Sequence, residues 1–215
     1  LVTKKAFIDE LTTDLHPAPS LLSPPLRSAL WFYLSLAVLG GVMYVIQPFR
    51  DGALTDLLNP RFLVETLLPL VALTMMAFLA LLTAIPGVFV SKAWQIVAFV
   101  PLVLFILSMV LGVFSFPSLE PSMVGKRPSC FLEVLGLSWI AVLFIVVLLR
   151  RAFVFQKVQT GLFVGLASAA IPMTLMQVAC MYQPQHALTH HVAPALVVGV
   201  LTTVLAPLLF WKKDI

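Results

Sequence analysis

Two cysteines, Cys130 and Cys180, and three closely spaced histidines, His186, His190 and His191, are the residues of this chain best equipped for chemistry. Two thiols can form a disulfide or redox-switchable pair, pack as small buried side chains, or bind a metal ion as thiolates. There is no Cys-x-x-Cys, so neither a zinc ribbon nor a thioredoxin-type site is available. His186 and His190 are four residues apart and share a face if a helix runs through them. With Cys130 and Cys180 they would complete a tetrahedron of two sulfurs and two nitrogens around a metal ion, and no other cofactor is suggested. Two carboxylates also stand out. Glu65 falls early in a helix that Asn59 would cap and Pro60 would open, where it complements the helix dipole. Glu133 lies one turn inside a predicted span, and snorkelling back to water is its expected resolution. There is no Gly-rich phosphate loop and no Ser, His, Asp arrangement, so the chain is read as a non-enzyme with no identified small-molecule substrate.

The elements that must position these residues follow from composition. Of 215 residues 61% are hydrophobic and 10% charged, with a mean hydropathy of +1.07; soluble domains run at about 45–50% and about 25%. A large soluble catalytic domain is excluded, and the lipid bilayer is a partner of the chain. The net charge of +4 comes from basic residues scattered as ones and twos, without the patch that nucleic-acid binding needs. A bilayer core takes about 20 apolar residues in helix, and six charge-poor runs of that size occur, at 28–49, 66–91, 93–119, 128–149, 158–182 and 192–211. The expected fold is all-α, a polytopic membrane protein with a bundle of six transmembrane helices and a short cytoplasmic N-terminal helix. Its parts are a cytoplasmic segment with a Pro-rich linker (1–27), the membrane domain (28–211) and a short tail (212–215).

With both termini inside, the cytoplasmic segments hold Lys4, Lys5, Arg27, Lys92, Arg150, Arg151, Lys157, Lys212 and Lys213, and the outer loops hold Arg50, Arg61, Lys126 and Arg127. That bias sets the expected orientation, with both cysteines at the outer face. Trp31, Trp94, Trp139 and Trp211 are expected as interfacial anchors. In the N-terminal segment Phe7, Ile8, Leu11 and Leu15 fall on one helical stripe, Pro17 ends the helix, and Pro19, Pro24 and Pro25 form an extended linker. Such a helix can lie on the membrane surface or dock into a partner's groove. Two adjacent acidic residues make it a poor ligand for anionic lipid, which favours docking.

These features together resemble the NrsF (negative regulator of sigma F) family of six-span membrane anti-sigma factors. The resemblance rests on Ile8 to Leu15 with Asp14-Leu15-His16-Pro17, on Asn59-Pro60-Arg61-Phe62, on Pro86-Gly87, on Pro128-Ser129-Cys130, on Arg150-Arg151, and on Cys180 followed by Gln185-His186 and His190. It implies that the N-terminal segment, through Phe7, Ile8, Leu11, Asp14, Leu15 and Pro17, holds an extracytoplasmic-function sigma factor at the bacterial inner membrane, away from RNA polymerase. It also implies a part for the outer cysteines in signal response. Where the family carries basic residues after its Asp-Leu-x-Pro element, this chain has Ala18, Pro19, Ser20, Leu21 and Leu22. Two other classes fit a chain of this composition: a small channel or transporter, and an envelope redox or metal-sensing protein. In-span prolines at Pro69, Pro86, Pro101, Pro172 and Pro194 suit the first, but intramembrane ionisable residues are nearly absent.

Overall fold

The computed structural model describes residues 22–85, 87–149, 152 and 154–210, together with Lys4, Lys5, Ile8 and Thr12. Among these residues there is no strand, and six helices are long and apolar enough to cross a membrane. They are α1 (Pro24–Ile46), α2 (Pro60–Leu82), α3 (Lys92–Phe114), α4 (Cys130–Leu149), α5 (Lys157–Ala179) and α6 (Pro184–Leu209). A single helical turn, Ala53–Asp56, lies between α1 and α2. This is a six-span, all-α membrane protein.

Local sequence sets the helix starts. Asn59 Oδ1 accepts from the amides of Arg61 at 3.0 Å and Phe62 at 3.4 Å, with Pro60 at the first helical position. Ser91 Oγ accepts from Trp94 N at 3.4 Å and opens α3 in the same way. Several boundaries differ from those set by charge-free runs, because capping chemistry and not the last charge decides where a helix begins. Thus α2 starts at Pro60 and includes Arg61 and Glu65, and it ends at Leu82. Pro24 and Pro25 open α1 instead of belonging to the linker, since proline's fixed φ suits the first turn and its missing amide costs nothing there. Trp31 is not an interfacial anchor: it is 1% exposed, and its indole donates to Ala141 O at 3.0 Å. Trp94, by contrast, is exposed.

Hydropathy and burial run in opposite senses in α5 and α3. The least apolar span, α5, has a mean hydropathy of 1.7 and is 83% buried, whereas α3, the most apolar at 2.9, is 22% buried. A helix enclosed by protein can carry Thr160, Ser168, Thr174 and Gln177, while one facing lipid cannot. Small residues let α5 and α6 approach closely: a Cβ at Gly165 would collide with Thr202 and the Gly199 backbone. α5 packs against α1, α2, α4 and α6.

Because successive spans alternate in direction, the ends of α1, α3 and α5 meet the starts of α2, α4 and α6. That end holds both cysteines and is called the thiol end here. At the opposite, tail end α1 begins, and with it the connection to the N-terminal segment. Of that segment's candidate residues Ile8 is helical and exposed, while Phe7, Leu11, Asp14, Leu15 and Pro17 lie outside the described residues.

Candidate functional site

Cys130 is the first residue of α4 and Cys180 follows the last residue of α5, so both sit where a helix end meets a loop. Both are free thiols, fully buried, with Sγ atoms 2.8 Å apart. Cys130 Sγ also donates to Arg127 O at 3.2 Å, and Cys180 Sγ lies 3.5 Å from His186 Nε2.

The third and fourth groups come from the start of α6. Cys130, Cys180, His186 and His191 each offer one donor atom, and all of these atoms lie within 4.8 Å of one another. His191 is 1% exposed, and neither ring nitrogen has a hydrogen-bond partner. Such a buried polar group needs explaining. His190, the partner that α-helical spacing selected, instead stacks on His186 with centroids 4.2 Å apart, and its Nδ1 is 2.7 Å from Thr189 Oγ1. The cause is backbone geometry: Leu188–Val192 is a π-helical turn, which brings residues five apart onto one face. Pro194 has no amide to give the carbonyl four residues back, and this weakens the α-helical ladder just after the turn.

Arg127 completes the site and was not singled out by the sequence. It comes just before the start of α4, two residues after Gly125, whose φ is +78° and where a Cβ would strike the Arg50 side chain, so only glycine fits that turn. The Arg127 guanidinium is fully buried. Nη1 is paired with Glu133 Oε2 at 2.8 Å, and Nε donates to Ala179 O at 3.3 Å. Nη2 donates to the carbonyls of Gln47, Met43 (3.2 Å) and Pro48 (3.3 Å). One cation therefore serves the C-terminal ends of α1 and α5, where the helix dipole favours positive charge. Glu133 does not snorkel: it is 8% exposed and also accepts from Ser129 Oγ at 2.6 Å.

Glu65 is likewise buried and not an exposed first-turn charge. Its Oε2 accepts from the hydroxyls of Ser118 and, at 3.4 Å, Tyr182. Tyr182 OH in turn accepts from Ser118 N at 2.8 Å, and Ser122 N donates to Tyr182 O at 2.9 Å. Burial and the nearby Glu65 carboxylate push the Tyr182 hydroxyl above its usual range. These bonds fasten the α3–α4 loop over α2 and the residues just beyond Cys180.

In chemical terms, a dithiol held this closely can oxidise to a disulfide. The two thiolates and two imidazoles also match the donor set of a tetrahedral cation such as zinc. His191 would have been found by asking for π as well as α spacing near Pro194. Arg127 stands close in sequence to Cys130 and Glu133, but its partners Met43, Gln47, Pro48 and Ala179 are far away along the chain, so its part in joining helix ends left no local signal.

No curated relative and no solved structure matches the chain. A family model, NrsF, negative regulator of sigma F, matches residues 11–211 and so takes in all six spans, the thiol cluster and part of the N-terminal segment. The chain is a member of the NrsF family of negative regulators of sigma F.

Proposed function

We propose that the protein is a membrane anti-sigma factor. It holds an extracytoplasmic-function sigma factor through its cytoplasmic N-terminal segment and releases it when an envelope signal alters the cluster at Cys130 and Cys180. The observation that carries this reading is the family match, which begins within that segment and runs through both cysteines. The partner face is the stripe Phe7, Ile8, Leu11 and Leu15, with Asp14 and Pro17 beside it. The bacterial inner membrane, with both termini cytoplasmic, is the location that lets the tail meet a sigma factor while the thiols face an oxidising compartment. No catalytic step is assigned to the chain.

At the cluster the first signal is thiol oxidation: a Cys130–Cys180 bond forms as two electrons and two protons pass to an external thiol oxidant. One observation favours a second form of the signal. Both buried nitrogens of His191 lack partners, and a cation bound by Cys130, Cys180, His186 and His191 would satisfy one of them. The test is co-purification of extracytoplasmic-function sigma factors, co-expressed one at a time, with the full chain. Phe7→Ser, Leu11→Ser and Leu15→Ser together should abolish the complex at an unchanged membrane level. An undiminished complex would refute docking by the stripe.

A further inference from the structure

Six groups meet at Arg127, and the way they are joined carries an inference about how the two ends of the bundle communicate. Arg127 is one bond away from each cysteine. Its carbonyl accepts the Cys130 thiol at 3.2 Å, and its Nε holds the carbonyl of Ala179, the residue before Cys180, at 3.3 Å. The same guanidinium grips the end of α1 at Met43, Gln47 and Pro48. Neither thiol has a hydrogen bond of its own to α1 among the described residues. α1 is also the span that continues, at Pro24, into the N-terminal segment.

From this geometry we infer that Arg127 is a positioning residue through which the chemical state of the Cys130–Cys180 pair reaches α1, and so the segment ahead of it. The chemistry of the switch is local. Oxidising the pair, or loading it with a cation, removes the proton that Cys130 donates, so the Arg127 carbonyl loses its partner. Both events also reposition Ala179 next to Cys180. A buried carbonyl without a partner is costly, and the residue that must adjust is the one whose side chain holds α1. Arginine suits this role because its planar fork reaches several acceptors at once; a lysine supplies the same charge from one point. Glu133 fixes the fork from the α4 side at 2.8 Å. Coupling between two sites needs an element that both of them bias, and the strap from Arg127 to α1 is that element.

The inference rests on the proposed sigma-retaining function, and the experiment separates the two. Cells carrying a sigma-dependent reporter are treated with diamide, a diazene that takes up the two hydrogens of a thiol pair, or with dithiothreitol. Oxidation of the pair is followed in parallel by alkylation. The wild-type reporter ratio between the two conditions is expected to lie in the range of about 5–150-fold typical of allosteric coupling. Arg127→Gln and Arg127→Lys should both oxidise normally while their ratio falls close to one. The lysine variant keeps the buried charge, so a purely structural need for a cation would leave its ratio at the wild-type value, and that result would overturn the inference. A second measurement needs no variant. Hydrogen exchange of the purified wild type should show changed protection at residues 43–50 between the oxidised and reduced forms, and identical protection there would also overturn it. If exchange at 43–50 responds but the wild-type reporter does not, it is the sigma-retaining reading that fails and the strap stands.

Discussion

The two ends of the bundle are built differently. At the thiol end, side chains form two polar networks. One runs from Asn59 and Glu65 through Ser118 to Tyr182, and the other from Cys180 and Cys130 through Arg127 to Glu133. At the tail end, the hydroxyls of Thr83 and Thr160 lie 2.8 Å apart, and further in the Trp31 indole donates from α1 to Ala141 O of α4 at 3.0 Å. Unpaired buried atoms occur at both ends: Nε and Nη1 of Arg27 on the first turns of α1, and Glu65 Oε1 and both ring nitrogens of His191 at the thiol end. Apolar packing holds helices together without fixing a single register, whereas buried polar bonds help to specify one arrangement. The contrast suits the proposal that a signal is read at one end and the output leaves from the other.

Three substitutions would sharpen or break this contrast. The largest effect is expected from Arg127→Met, which leaves the Glu133 carboxylate buried and two helix ends without their donor. Removing one partner of a buried pair costs about 3–5 kcal/mol, and reversible denaturation in detergent should show a loss of that size. A loss under about 1 kcal/mol would mean that water already serves these groups. Glu133→Gln keeps the shape and a carbonyl acceptor, so its cost should be smaller, about 1–3 kcal/mol by the same assay. The smallest effect belongs to the tail end: Thr83→Val removes the bond to Thr160, and interhelical bonds of this kind average about 0.6 kcal/mol. If Thr83→Val costs as much as Arg127→Met, the asymmetry between the ends is not energetic.

A fourth prediction concerns α5 and α6. Gly165→Val forces these helices apart at Thr202 and Gly199, a backbone collision that no rotamer relieves. It should lower the level of folded protein in membranes, as judged by protease resistance, whereas Gly136→Val, at an open position of α4, should not.

The number of spans was legible in the sequence because it depends on run length and charge, and the capped start at Asn59 and Pro60 could be read as well. What escaped was set by tertiary partners. Glu133 looked like a snorkelling charge because Arg127, which neutralises it, belongs to a loop that sequence alone leaves unplaced. Trp31 looked like an anchor because hydropathy does not show which face of α1 meets Ala141. In the cluster, Cys130, Cys180 and His186 were named from residue type. His190 was chosen over His191 because 3.6-residue spacing was assumed where the chain makes a π turn.

The central claim is that the thiol end governs capture of the sigma factor by the N-terminal segment. It is tested most directly by the affinity of the full chain, reconstituted in nanodiscs, for the sigma factor that co-purifies with it, measured with Cys130 and Cys180 reduced and again after diamide. Tight binding in the reduced form, weakened about tenfold or more on oxidation, corresponding to about 1.4 kcal/mol, is the predicted result. Equal affinities in the two states would contradict it.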